Sequence, residues 1–210
     1  MNAELSPHTE QRLQTAVDVT ERIFVLLLFA IFAVRISRSF AFAPYNILAV
    51  ISEGLVVLFI LIRRRNAIIT MRSIDWIIAI VGTSAPLFVR AGGHPFFSWL
   101  VGTAAMFTGL SIAIAAKLTL RRSFGMAAAN RGVVRAGPYL VVRHPMYAGY
   151  VLVYAGFFLN NPLPWNLAIY ALTLATLIAR ILAEEKVLAQ DPQYADFMTH
   201  VRYRLVPGVF

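Results

Sequence analysis

The sequence predicts an all-α fold: a multi-pass transmembrane helical bundle of five or six spans, with a cytoplasmic loop and a C-terminal helical hairpin. Three observations carry this. Of 210 residues, 59% are hydrophobic and 14% charged, and mean hydropathy is +0.70, more apolar surface than a water-soluble fold can hide. Apolar runs recur at about 23–34, 45–62, 74–89, 96–116, 146–160 and 165–183, lengths near the roughly 20 residues of a helical crossing. The basic residues fall on alternate connections between these runs.

The first twenty residues are polar and lack the basic start and short apolar core of a signal peptide, so they read as an arm or an interfacial helix. The first run is short: between Arg22 and Arg35 it covers only about 18 Å of helix unless the arginines snorkel, which leaves the choice between five and six spans. Arg12, Arg22, Arg63, Arg64, Arg65, Arg72, Lys117, Arg121, Arg122, Arg131, Arg135, Arg143, Lys186, Arg202 and Arg204 fall on one side, and only Arg35, Arg38 and Arg90 on the other. Lys and Arg are retained on the cytoplasmic side. Both termini are therefore expected in the cytoplasm, in the inner membrane if the source is bacterial. Residues 1–116 form the N-terminal transmembrane helices. Residues 117–210 form a loop of about thirty residues, punctuated by Gly125, Gly132, Gly137 and Pro138, then the hairpin and a polar tail; loops of that length are functional or disordered.

There is no cysteine, which excludes disulfides, thiolate metal sites and a cysteine nucleophile. No metal and no nucleic-acid partner is expected, because the positive charge sits in short loops between apolar runs rather than on one soluble face.

The densest polar signal is GPYLVVRHPMYAGY, residues 137–150, where the loop enters the fifth run. Pro145 suits the first position of that helix, with His144 capping it. A helix start offers free amides and the positive end of a dipole, and Arg143 adds a charge. The breaker-rich turn from Asn160 to Pro164 folds the sixth run back, so RILAEE returns beside this start. Arg180 and Glu184 are four apart and share a helix face, with Glu185 next to it. An anion-seeking helix start facing a carboxylate suits a small zwitterion carrying extra positive charge.

Together, GPYLVVRHPMYAGY, RILAEE and the tail YADFMTHVRYRLVPGVF resemble the isoprenylcysteine carboxyl methyltransferase family and, less closely, the membrane phospholipid N-methyltransferases. The resemblance covers residues 117–210. It implies an integral membrane methyltransferase that binds S-adenosylmethionine on the cytosolic side and admits a lipophilic methyl acceptor from the bilayer. Matched residue by residue, it places Arg131, Gly132, Val133, Val134, Tyr139, His144, Pro145, Met146, Tyr147, Glu184 and Glu185 at the cofactor. Arg180 would meet the acceptor carboxylate, with Arg204 as a secondary acceptor-side residue. Phe124 departs from the polar cofactor contact of some members.

Carboxylate O-methylation needs positioning and exclusion of water rather than a strong base, and Arg180 would orient the acceptor. With an amine acceptor, as in phospholipid N-methylation, Arg180 would instead hold a lipid phosphate. Glu53 lies in the middle of the second run, where an ionisable group is costly, and is expected either at the substrate or as a structural partner in the bundle. Two other functions remain open to this sequence. One is an NADPH-dependent membrane reductase like the sterol reductases, although no Gly-rich dinucleotide fingerprint is present. The other is a transporter or lipid-binding protein, although no inverted repeat is visible.

Overall fold

The structure is a computed structural model and describes residues 7–62, 73–120 and 134–210. These contain seven helices: α1 (Pro7–Ser37), α2 (Ile47–Ile62), α3 (Ser73–Ser84), α4 (Trp99–Leu120), α5 (Pro145–Asn160), α6 (Pro164–Leu188) and α7 (Pro192–His200). Each of the six apolar runs falls mainly in one of the first six. The expected arm and first run differ from the reading above: they form one helix of 31 residues, because no glycine or proline interrupts the chain between Pro7 and Pro44.

Among the described residues, three helical stretches are long and apolar enough to cross a membrane: Pro44–Ile62, Trp99–Leu120 and Pro164–Leu188. The 12 residues of α3 are prolonged by a 3₁₀ turn, Ala85–Phe88. The 16 residues of α5 rise only about 24 Å, short of the roughly 30 Å of a hydrocarbon core.

Prolines set the starts. Pro145, Pro164 and Pro192 occupy the first turns of α5, α6 and α7, where a missing amide hydrogen has no cost. Asp191 adds a side-chain cap, its Oδ1 accepting from the Gln193 amide at 2.8 Å.

α5 follows the hairpin order of the sequence, but its closest packing is on α4, while α6 lies mainly on α3. Glycines explain the α4–α5 contact. Gly102 and Gly109 on α4 meet Gly156 and Gly149 on α5, and a Cβ added at Gly109 would come 2.5 Å from the Gly149 carbonyl oxygen, and the reverse. Lipid tails are as apolar as side chains, so helices associate in a membrane through close packing of this kind. The contact fixes the height of α5 against α4 and so places the start of α5 beside the end of α4.

At the far end of α5 a buried amide network ties the bundle. Asn161 Nδ2 donates to Asn46 Oδ1 at 3.0 Å, and Asn46 Nδ2 donates to Ser39 Oγ at 2.9 Å. The Gly92 amide donates to Asn161 Oδ1 at 3.0 Å, and Asn166 holds the Arg90 amide and carbonyl, each at 2.8 Å. Arg35 donates to the carbonyls of Leu87 and Val89. Asn46, Asn161 and Asn166 are buried, so their amides are satisfied by one another and by backbone. The helices α1 to α6 alternate in direction, and the start of α5 lies at the same end of the bundle as the end of α6.

Candidate active site

At that end the chain builds a charge cluster around Glu185. Arg143 Nε donates to Glu185 Oε1 at 2.7 Å and its Nη2 to Oε2 at 3.2 Å, a two-pronged contact that suits the guanidinium fork. Arg204 Nε donates to Oε2 at 2.7 Å, and His144 Nε2 lies 3.1 Å from Oε1. Arg143 also donates to the carbonyls of Val201 and Arg202, both at 2.8 Å. The Arg143 amide donates to the Tyr203 carbonyl and the His144 amide to the Arg204 carbonyl, each at 2.9 Å. One carboxylate thereby locks three segments together: the entry to α5, the end of α6 and the tail.

His144 occupies the capping position of α5 as the sequence suggests, but its side chain makes no capping hydrogen bond. The ring turns to Glu185 and stacks on Tyr147, with centroids 5.8 Å apart. The first helical bond of α5 joins the Ala148 amide to the His144 carbonyl, so the Met146 and Tyr147 amides have no helical acceptor.

Glu184 is placed quite differently from its neighbour. Its side chain is 49% exposed, against 6% for Glu185. The Tyr147 hydroxyl donates to its Oε2 at 3.4 Å, and His144 Nδ1 is 4.0 Å away. No Lys or Arg pairs with it among the described residues, and in particular Arg180, four residues earlier, does not. Tyr139 is buried in the short turn before α5 and packs with Tyr194 and Phe197 of α7. Burial, reinforced by the Glu184 charge, holds the Tyr139 hydroxyl protonated above its ordinary range. Burial followed by Glu185 does the same for Tyr194. On the outer face Arg135 pairs with Asp196 and holds its carboxyl below the usual range.

Beneath Tyr147 lies a cavity of about 50 Å³ between α2, α3, α5 and α6. Arg180, Glu53, Tyr147, Tyr150, Tyr154 and Thr176 are among its walls. The Arg180 guanidinium sits 6.0 Å from the Tyr147 ring centre. Tyr147 thus has its ring in the cavity wall and its hydroxyl on Glu184, which is outside that wall.

Arg131, Gly132 and Val133 lie outside the described residues, as does Phe124. Val134 is half-buried, Pro145 is fully buried, and Met146 packs between two core clusters. Arg204 is held by Glu185 and is not part of the cavity wall. Three features escaped the sequence reading. Arg143 was legible as a charge but not as the partner of Glu185. Lys117 is buried, its ammonium 3.8 Å from the centre of the Phe59 ring. The third is a tyrosine ladder through Tyr147, Tyr150, Tyr154 and Tyr170, with successive ring centres 6.4, 6.5 and 5.0 Å apart; the four-residue spacing of Tyr150 and Tyr154 was its available signal.

Residues 98–191 match the family described as phospholipid methyltransferase. No curated protein matches the chain. The matched stretch begins just before α4 and ends just after α6, so it contains the glycine contact, Tyr147, Arg180, Glu184 and Glu185. Over these residues the chain is similar to the phospholipid methyltransferase family, which includes the isoprenylcysteine carboxyl methyltransferases.

Proposed function

We propose that the protein uses S-adenosylmethionine to methylate the carboxylate of a lipidic acceptor at the cytoplasmic face of the membrane. The carrying observation is Tyr147: one side of this residue meets the half-exposed Glu184, and the other faces the intramembrane cavity that holds Arg180. The chemistry on each side fits one of the two substrates.

The residues suit the methyl donor. Glu184 is a carboxylate with no cation of its own among the described residues and suits an ammonium. The Met146 and Tyr147 amides suit a carboxylate, and the Tyr139 and Tyr147 rings suit a flat base. Pro145 and His144 shape the same helix start, and the family resemblance assigns Arg131 to Val134 to the same donor. Glu185, saturated by Arg143, His144 and Arg204, supports this set by holding His144 against Tyr147. When bound, S-adenosylmethionine supplies an electrophilic methyl on a sulfonium.

On the acceptor side Arg180 neutralises and orients the carboxylate, and the surrounding helices exclude water. An ionised carboxylate has no proton to give up, so no base is required. The basic residues on alternate connections support a cytoplasmic position for this end of the bundle and for both termini.

The test is calorimetry of detergent-purified protein with S-adenosylmethionine, S-adenosylhomocysteine and NADPH, followed by labelled methyl transfer in membranes. Binding of the first two and label in base-labile esters support the reading. Label in stable amines supports phospholipid N-methylation, the second reading, with which the family match is also compatible. Binding of NADPH alone would overturn both.

A further inference from the structure

The end of the bundle opposite Glu185 carries positive charge with no acid to meet it. Arg35 lies in the last turn of α1, the exposed Arg38 follows it, and Arg90 stands just after the 3₁₀ turn that prolongs α3. Between Glu21 and Glu184 the sequence holds only two acids, Glu53 and Asp75. Asp75 is the third residue of α3, which starts at the Glu185 end, and Glu53 lines the cavity beneath Tyr147.

One peptide brings two of these cations together. Arg35 Nη2 donates to the Leu87 carbonyl at 2.6 Å and to the Val89 carbonyl at 2.7 Å, and the second of these carbonyls is bonded to the Arg90 nitrogen. Each guanidinium therefore lies in the other's field. Asn166 grips the Arg90 amide and carbonyl, and the Arg90 guanidinium rests 5.0 Å from the centre of the Trp165 ring. Trp165 is itself fixed, its Nε1 donating to the Phe88 carbonyl at 2.9 Å.

The ordinary explanation is that Arg35 staples α1 to the turn after α3. Carbonyls are neutral dipoles, however, and leave two like full charges side by side. Donors are also left over, since a guanidinium has five N–H groups. Arg35 Nε is buried with no hydrogen-bond partner, and the Arg90 guanidinium makes no hydrogen bond or ion pair among the described residues. A cation–π contact uses no N–H group, so the Arg90 donors stay available for an anion. Aromatic residues put this end at head-group depth: Tyr45 stacks on Trp99 with ring centres 5.8 Å apart, Trp99 opens α4 and Trp165 is the second residue of α6.

We propose that Arg35 and Arg90 form a phosphate site, occupied at this depth by the head group of an anionic lipid in the leaflet opposite the candidate active site. The phosphate bridges the two guanidinium groups, whose forks suit its oxygens, and ties α1 to the α3 and α6 ends. Both arginines precede residues 98–191, the stretch shared with the family.

The experiment is thermal unfolding of the full-length protein in neutral detergent, titrated with phosphatidylglycerol, phosphatidylcholine or inorganic phosphate. Phosphatidylglycerol is expected to raise the wild-type melting temperature by about 5 °C near saturation, well beyond phosphatidylcholine. Arg90→Gln should need about tenfold more of the lipid for the same rise, the loss of one charge-assisted bond. Lys186→Gln, which removes the same charge near the end of α6, should leave the titration unchanged. If Arg90→Gln does not fold, Arg90→Lys, which keeps the charge without the fork, carries the comparison together with native mass spectrometry of lipid bound to the wild type. A rise that inorganic phosphate alone reproduces, and that the Arg90 variant weakens, supports the site with a free phosphate as its occupant. No rise with either phosphate compound, a rise untouched in the folded Arg90 variant, or an equal loss in Lys186→Gln overturns the inference.

Discussion

Glu184 and Glu185 are adjacent in the chain and opposite in circumstance: Glu185 accepts from Arg143, Arg204 and His144, while the described polar neighbours of Glu184 are the Tyr147 hydroxyl and the His144 ring. Substitution should separate them. Glu184→Gln is expected to leave the melting temperature within a degree or two and to weaken S-adenosylmethionine binding by about tenfold to a hundredfold, the range for a hydrogen bond to a charged group. Glu185→Gln should melt the protein instead, because Arg143 is left buried without its counter-charge, at a cost of about 3 kcal/mol. Thermal unfolding and calorimetry on the two variants decide this. Equal melting temperatures would remove the distinction.

Arg180 is expected to act on the acceptor alone. Arg180→Ala should lower kcat/KM by about a hundredfold, as for a lost charge-assisted bond, with calorimetric affinity for S-adenosylhomocysteine unchanged. Arg180→Lys should recover little, since a point charge does not reproduce the two-pronged guanidinium. Steady-state kinetics with one acceptor across the three proteins checks both statements.

The glycine contact between α4 and α5 makes a stability prediction. Gly149→Val places carbon against the Gly109 carbonyl and the Ala113 amide, and backbone cannot give way as a side chain does. Destabilisation of about 3 kcal/mol or more is expected. A lipid-facing control such as Phe107→Ala, at a residue 63% exposed, should leave the melting temperature nearly unchanged.

Tyr139 and Tyr194 have hydroxyls that burial keeps protonated above the ordinary tyrosine range. The sign follows directly. A group whose folded pKa is raised contributes stability that is complete below its unfolded pKa, about 10, and is lost as pH climbs toward the folded value. Melting temperature should therefore fall as pH rises past about 10, and the Tyr139→Phe, Tyr194→Phe double variant should fall less steeply. A parallel slope for variant and wild type would count against it.

Much of this was legible in the sequence because it depended on local rules. Pro145 announces the start of α5 through its fixed φ, and the apolar runs announce the helices through length alone. The union of the arm with the first run was missed, although the absence of any breaker after Pro7 was its available signal. The Glu185 cluster was not legible, because it requires the tail to return across α5, and nothing in the spacing of Arg143, Glu185 and Arg204 encodes that return. The glycines at 102, 109, 149 and 156 fall between these cases. Their seven-residue spacing marks a face on each helix, but only the antiparallel pairing of the two helices turns those faces into one contact. Glu53 was visible as an anomaly from its charge in an apolar run; that its neighbouring lysine faces aromatic rings could come only from three-dimensional packing.

The division of labour around Tyr147 also bears on how such a protein can change. The surfaces proposed for the methyl donor come from the segment before α5, from α5 and from α6, whereas about a third of the cavity wall is contributed by α2 and α3. Drift in the first half of the chain can therefore retune which lipid is accepted while the donor end is inherited unaltered. A chimaera that borrows residues 1–98 from a relative should acquire the relative's appetite and keep its own engine.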